Sequence, residues 1–132
     1  MFPGLSESPS VSLSVIIPAY NEEDRLPIML EECTQYLKDR SSNSKGTGFT
    51  FEIILVDDGS KDKTTEVGLS WSRTLGSDRF RVLTLRKNRG KGGAVRMGAL
   101  RARGERILFA DADGATKFQD LAKLEKLSLI HI

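Results

Sequence analysis

This sequence predicts an α/β fold, a mostly parallel sheet covered by helices on both faces. Two patterns carry that expectation. Short apolar runs alternate along the chain with segments of helical period, and two of those runs end directly in acidic residues. Asp57-Asp58-Gly59-Ser60 follows residues 51–56, and Asp111-Ala112-Asp113-Gly114 follows residues 107–110. Ligands of parallel sheets bind beyond the carboxyl ends of the strands, so these carboxylates fall where a site is expected.

The elements read in order. Residues 1–10 lack the basic and apolar regions of a signal peptide and form a loose Pro/Ser segment. Residues 13–18 (Leu-Ser-Val-Ile-Ile-Pro) are β-branched and apolar, a buried strand ended by proline. Asn21, Asp24 and Pro27 mark a loop and a helix start, after which Leu26, Met29, Leu30, Cys33, Tyr36 and Leu37 share one helical face. Residues 40–48 are rich in Ser, Asn and Gly and read as a surface loop. Residues 51–56 form the second strand, and Val67, Trp71 and Leu75 place a helix after it, with Trp71 as a core anchor. Residues 80–85 form a third strand. A glycine-rich turn over residues 88–93 leads into a helix through Ala94, Met97 and Leu100. Residues 107–110 are a fourth strand, and Phe118, Leu121 and Leu124 begin another helix. There is no internal repeat.

Composition narrows the chemistry. The 132 residues suit one domain or less than one, and 39% hydrophobic with 29% charged residues is ordinary for a globular protein. A net charge of +2 gives no reason to expect a nucleic-acid partner. No apolar run is long enough to span a bilayer. Cys33 is the only cysteine, which excludes an intrachain disulfide and a thiolate metal cluster; on the apolar stripe it reads as a buried structural thiol. His131 is the only histidine.

The site residues follow from charge and position. Asp111 and Asp113, one residue apart beyond a buried strand, can share a hard cation, Mg²⁺ or Mn²⁺, held jointly with substrate phosphates. Asp57 can cap its loop or the helix after Ser60, while Asp58 can reach a pyrimidine imide or a ribose hydroxyl. Tyr20 beside Glu22, in Pro18-Ala19-Tyr20-Asn21-Glu22, can stack on a base and accept its N–H groups; alone, this is a polar turn. From Arg86 to Arg103 there are seven basic residues and no acid. The later arginines read as a solvated helix face. Arg89 and Lys91, within Asn88-Arg89-Gly90-Lys91-Gly92-Gly93, offer a cradle for an anion beside a helix N-terminus. This is not a P-loop, because Gly92 and not Ser or Thr follows Lys91, and its glycine spacing is not that of a dinucleotide fingerprint.

Val-Ile-Ile-Pro-Ala-Tyr-Asn-Glu-Glu, Val-Asp-Asp-Gly-Ser-Lys-Asp-Lys-Thr and Asp-Ala-Asp-Gly, in that order, resemble glycosyltransferase family 2. The likeness is to the nucleotide-sugar-binding half of these inverting enzymes and runs over residues 13–126. It implies a GT-A nucleotide-diphospho-sugar transferase fold, a Rossmann-like α/β/α sandwich, with residues 11–126 as an incomplete donor-binding domain. Two stretches, residues 87–94 and 111–118, narrow the resemblance to the branch that transfers glucose from UDP-glucose to dolichyl phosphate. The mannosyl branch shares the tyrosine loop and acidic pairs but typically lacks the basic glycine cluster.

The resemblance implies that Tyr20 stacks on uracil, with Pro18 and Glu22 framing the nucleotide and Asp57, Arg89 and Lys91 among the residues that bind the nucleotide sugar. Asp58 would bind the uracil imide, Asp111 the ribose or the metal, and Asp113 the metal at the diphosphate. It implies a place in N-linked glycosylation at the cytosolic face of the endoplasmic reticulum membrane, with dolichyl phosphate as the membrane partner. Another nucleotide-sugar transferase of this fold, a dolichyl-phosphate mannosyltransferase included, or an inactive nucleotide-binding module are the alternatives. Family members carry an N-terminal anchor and continue beyond the metal motif. Residues 127–132 (Leu-Ser-Leu-Ile-His-Ile) match the translation of a transposase-adaptor sequence and are expected to be an artefactual tail on a truncated chain.

Overall fold

The computed structural model describes residues 11–43 and 48–112. Seven elements alternate along them: β1 (Val11–Ala19), α1 (Leu26–Asn43), β2 (Phe51–Asp57), α2 (Thr64–Leu75), β3 (Phe80–Thr84), α3 (Gly90–Ala99) and β4 (Gly104–Phe109). The expected helix through Phe118, Leu121 and Leu124 lies outside the described residues, as do the segments 1–10 and 127–132.

The four strands form one parallel sheet in the order β3-β2-β1-β4. Side chains alternate across a strand, so each of these doubly covered strands must be apolar on both sides. Val15, Ile17, Ile53, Leu55 and Phe80 pack beneath α1 and α2 with Leu26, Met29, Leu30, Cys33 and Leu37. Ile16, Ile54, Val56 and Ile107 face the other way, onto Ala94 and Met97 of α3. The result is an α/β/α sandwich. Trp71 packs against the first cluster as the core anchor expected of it. Cys33 is fully buried, and burial pushes its thiol pKa upward, in keeping with a structural thiol.

Several boundaries differ from the sequence reading, β4 among them, which begins at Gly104, and three of the differences bear on the site or on the packing. Pro18 does not end β1, which continues to Ala19. The Ala19 carbonyl accepts the Asp58 N–H at 2.9 Å, so the alternate residue Pro18 turns towards β4. The last β1–β4 pair is Ile16↔Phe109, and the missing proline N–H therefore costs no ladder bond. Helix α1 runs through Arg40, Ser41 and Ser42, where a loop was expected. There the Arg40 guanidinium lies 4.3 Å from the Phe49 ring centre, and Ser41 Oγ donates to the Phe49 carbonyl. These contacts hold a turn whose own propensity is weak. Helix α3 begins at Gly90, inside the expected glycine-rich turn, so Lys91, Gly92 and Gly93 form its first turn.

A polar hub joins the strands at the end remote from the carboxyl termini. Glu52, fully buried in β2, accepts from Ser14 Oγ (2.6 Å), Arg103 N–H (2.6 Å), Arg81 (2.7 Å) and Arg103 Nε (3.0 Å). Ser14 Oγ in turn accepts the Gly104 N–H at 2.8 Å, which brings β4 into the same network. Burial alone would raise the Glu52 pKa; the Ser14 hydroxyl, the Arg103 amide and the two guanidiniums outweigh it and hold it below the ordinary value.

A candidate nucleotide cleft at the strand carboxyl ends

Beyond the carboxyl ends of β1, β2 and β4 lies a cleft of ≈ 280 Å³, lined by Pro18, Tyr20, Glu22, Asp58, Asn88, Gly90, Lys91 and Asp111 among others. Parallel strands create such a position because all their carboxyl ends open on one side, while the helices return the chain to the other.

The loop after β1 supplies the Tyr20 side. Asn21 sits at φ 52°, a left-handed conformation that asparagine tolerates better than most side chains. Its side-chain oxygen accepts the Lys61 N–H at 2.8 Å, and its own N–H donates to Ser60 Oγ at 3.0 Å. The Glu22 N–H donates to Thr64 Oγ1 at 2.9 Å, and the Glu23 N–H to Asp62 at 3.2 Å. Four bonds thus stitch this loop to the one after β2. With its backbone held, the Tyr20 ring stands at the cleft mouth, 41% exposed, as a stacking face needs to be. Burial would raise the Asp62 pKa, but the Thr64 hydroxyl and amide and the Glu23 amide hold it below its ordinary value.

Asp57 and Asp58 take separate positions. Asp57 is fully buried; its Oδ1 accepts the Ser60 N–H at 2.9 Å and its Oδ2 accepts the Thr65 hydroxyl. Both oxygens are committed to the loop and to α2, and Asp57 is not among the residues lining the cleft. This arrangement matches the capping position that its place before Ser60 offers. Asp58 does line the cleft, and its Oδ1 accepts the Arg89 N–H at 2.7 Å.

The opposite wall comes from α3 and the end of β4. Asn88, Gly90, Lys91 and Ala94 line the cleft where α3 begins, so the positive end of the helix faces it. The Lys91 ammonium pairs with Asp111 Oδ1. Arg89 is exposed and not a lining residue; its side chain lies against Gly93 and its N–H is held by Asp58. The structure thus brings Pro18, Tyr20, Glu22, Asp58, Lys91 and Asp111 around one space and leaves Asp57 and the Arg89 side chain outside it. Asp113 lies outside the described residues.

Two observations bear on what the cleft can hold. Glu22 Oε2 is buried without a hydrogen-bond partner among the described residues, while Oε1 takes the Arg25 guanidinium. Buried acceptors are normally satisfied, so this atom is suited to a ligand's N–H or O–H. Asp111 already holds a cation, the Lys91 ammonium, and its hard oxygen donors suit Mg²⁺ or Mn²⁺. Among the described residues no group of three or more His, Cys, Asp or Glu could hold a metal.

The sequence reading missed Ser60, Asp62, Thr64 and Asn88, which position the loops without carrying the chemistry. A signal existed for two of them: Asp62 and Thr64, two residues apart at a helix start, have the spacing of a side chain capping the first turn.

Comparison with known proteins agrees with this geometry. The dolichyl-phosphate beta-glucosyltransferases of Drosophila melanogaster and Homo sapiens are 59% and 56% identical to the chain over 124 residues. These alignments cover 94% of the chain but only 37% and 38% of the relatives, so the chain spans less than half their length. Staphylococcus aureus TarS, solved in complex with UDP, superposes with a TM-score of 0.63 at 26% identity, over 88% of this chain and 32% of that one. The mannosyltransferase PcManGT from Pyrobaculum calidifontis, in complex with GDP-Man and Mn²⁺, gives 0.62 at 26% identity, over 80% and 29%. The fold is that of the GT-A nucleotide-sugar transferases. Residues 14–127 match the family described as Glycosyl transferase family 2, and the chain belongs to that family.

Proposed function

We propose that this chain is the donor-binding half of a glycosyltransferase that moves glucose from UDP-glucose to dolichyl phosphate with inversion. The observation that carries the reading is the convergence of Tyr20, Glu22, Asp58, Lys91 and Asp111 on one cleft at the strand carboxyl ends. The identity to dolichyl-phosphate beta-glucosyltransferases supports the choice of donor and acceptor. The parent enzyme then works at the cytosolic face of the endoplasmic reticulum membrane; among the described residues no helix is long and apolar enough to cross a membrane.

Each residue has a part. Tyr20 offers a face for the uracil ring, and Asp58 an acceptor for its imide N–H. The unpartnered Glu22 Oε2 accepts from the base or the ribose. Pro18, near the end of β1 before Tyr20, shapes the floor beneath the nucleotide. Lys91 and the first-turn amides of α3 face the diphosphate, while the more distant Arg89 adds positive field. Asp111, with Asp113 beyond the described residues, would hold Mg²⁺ or Mn²⁺, which supplies Lewis-acid stabilisation of the departing diphosphate. A bond forms between a dolichyl phosphate oxygen and the anomeric carbon as the bond from that carbon to UDP breaks on the opposite face. The phosphate nucleophile is already ionised near neutral pH and requires little help from a general base.

Calorimetric titration with UDP, UDP-glucose and GDP-mannose, with Mn²⁺ and with chelator, tests the donor and the metal. Binding of UDP-glucose that requires Mn²⁺ and exceeds binding of GDP-mannose is the expected result. Preference for GDP-mannose selects the mannosyl branch. A product assay with dolichyl phosphate on the chain extended by its native downstream sequence separates a transferase from a module that only binds nucleotide.

A further inference from the structure

The two loops that wall the cleft, after β2 and after β3, are docked onto each other at two points. Gly59 takes φ 76°, and a Cβ there would lie 3.2 Å from Asn88 N and 3.5 Å from the Lys87 carbonyl carbon. A side chain there would be strained by the positive φ and would push the neighbouring backbone back by a few tenths of an ångström. One residue earlier, Asp58 Oδ1 accepts the Arg89 N–H at 2.7 Å. Arg89 immediately precedes α3, and the next amide, Gly90 N–H, is taken by Asn88 Oδ1 at 3.0 Å. The entry to α3 is therefore set by two side-chain acceptors, and one of them is the carboxylate assigned above to the base.

We propose that Asp58 is the positioning residue for the phosphate end of the site as well as a contact for its base end. Oδ1 fixes where α3 begins, and with it the placement of Lys91 and of the first-turn amides, which have no intrahelical partners. Oδ2 is left for the nucleotide. Asp58 is 3% exposed, and its own N–H is held by the Ala19 carbonyl at 2.9 Å, so the carboxylate stands on a rigid base. A nucleotide that engages Asp58 through its base thereby meets phosphate-binding groups that the same side chain has already aligned. This rests on the reading of the cleft as a nucleoside-diphosphate site and adds a mechanical link between its two ends.

Inorganic pyrophosphate with Mn²⁺ separates the two roles, because it has no base with which to touch Asp58. In Asp58→Ala its affinity should fall about tenfold, the scale of one lost charge-assisted hydrogen bond. Amide exchange at Arg89 and Gly90, followed by NMR in the ligand-free protein, should accelerate in the same variant. Asp58→Asn keeps an acceptor for the Arg89 N–H but a weaker, uncharged one. Its pyrophosphate affinity should stay within about threefold of wild type, while Arg89 exchange rises and the preference for UDP over other nucleoside diphosphates is lost. If Asp58→Ala does not fold, the Arg89 exchange rate in Asp58→Asn still decides. Unchanged Arg89 exchange in either folded variant, or unchanged pyrophosphate affinity in a folded Asp58→Ala, would overturn the proposal. A wild-type chain that binds neither UDP nor pyrophosphate would instead remove the nucleotide reading, and the ligand-free exchange rates would still report on the loop.

Discussion

Glu52→Gln is expected to cost this domain about 3 kcal/mol of stability, a large share of the roughly 5–15 kcal/mol that domains possess. The magnitude follows from the geometry of the hub. Both Glu52 oxygens are fully engaged: Oε1 by Arg81 and Arg103 Nε, and Oε2 by Ser14 Oγ and the Arg103 amide. A glutamine has one acceptor oxygen, so its NH₂ group must face donors on one side, and the charge opposing two guanidiniums is gone. Removing one partner of a buried ion pair costs about 3–5 kcal/mol. Here the Arg81 and Arg103 side chains are 35% and 34% exposed and can recover some hydration, which places the loss at the lower end. Urea unfolding followed by fluorescence of Trp71, the single tryptophan, measures it directly. The pH dependence supplies a second check. The folded Glu52 carboxyl titrates below its ordinary value, so its contribution is present above an unfolded pKa of about 4.3 and disappears as pH falls through the folded pKa. The gap between wild type and Glu52→Gln should therefore narrow on acidification below that value. A loss under about 1 kcal/mol at pH 7, or a gap unchanged by acid, would refute the hub as an ionic clamp.

Tyr20→Ala should weaken UDP binding by about 1–3 kcal/mol in a calorimetric titration, the usual worth of a base–aromatic stack; unchanged affinity would leave the exposed ring without a role. Lys91→Met should act in opposite directions on two ligands. Mn²⁺ alone should bind up to about fivefold tighter, because an exposed pair worth no more than about 1 kcal/mol no longer occupies Asp111, while UDP with Mn²⁺ should bind more weakly. Changes of the same sign in both titrations would mean that Lys91 does not serve both partners. Gly98→Ala should lower stability by about 1–3 kcal/mol in thermal unfolding, since its Cβ would lie 2.5 Å from Ile16 Cγ2 and 2.8 Å from Val56 Cγ2 at the face of α3 that meets the sheet. A neutral or stabilising result would show that α3 can lift from the sheet without penalty.

The parallel sheet and its site at the strand ends were legible because burial on both faces forces an apolar signature that no exposed strand needs. Val15, Ile16 and Ile17 are all buried, on opposite faces, and the run Ile53 to Val56 repeats the pattern. The acidic loops could be found for the same reason, as charges placed directly after such runs. Helix ends were less legible. Arg40-Ser41-Ser42 has loop composition, and the last turn of α1 is supported by contacts with Phe49, a residue outside the helix.

Within the site, the sequence alone determined which chemistry was present: an aromatic ring, carboxylates and cations, each tied to a strand end by position. Tertiary structure decided how two adjacent aspartates divide their work. Asp57 and Asp58 alternate in direction as neighbours in an extended chain must, so one turns into α2 and is consumed by Ser60 and Thr65, and the other turns to the cleft and Arg89. It likewise decided that Glu52, an acid set among the apolar residues of β2, is satisfied and not misplaced. Its partners come from β1, from β3 and from the turn before β4, up to 51 residues away in sequence, and no local pattern records them. Composition names the groups that can meet; the strand order β3-β2-β1-β4 selects the ones that do.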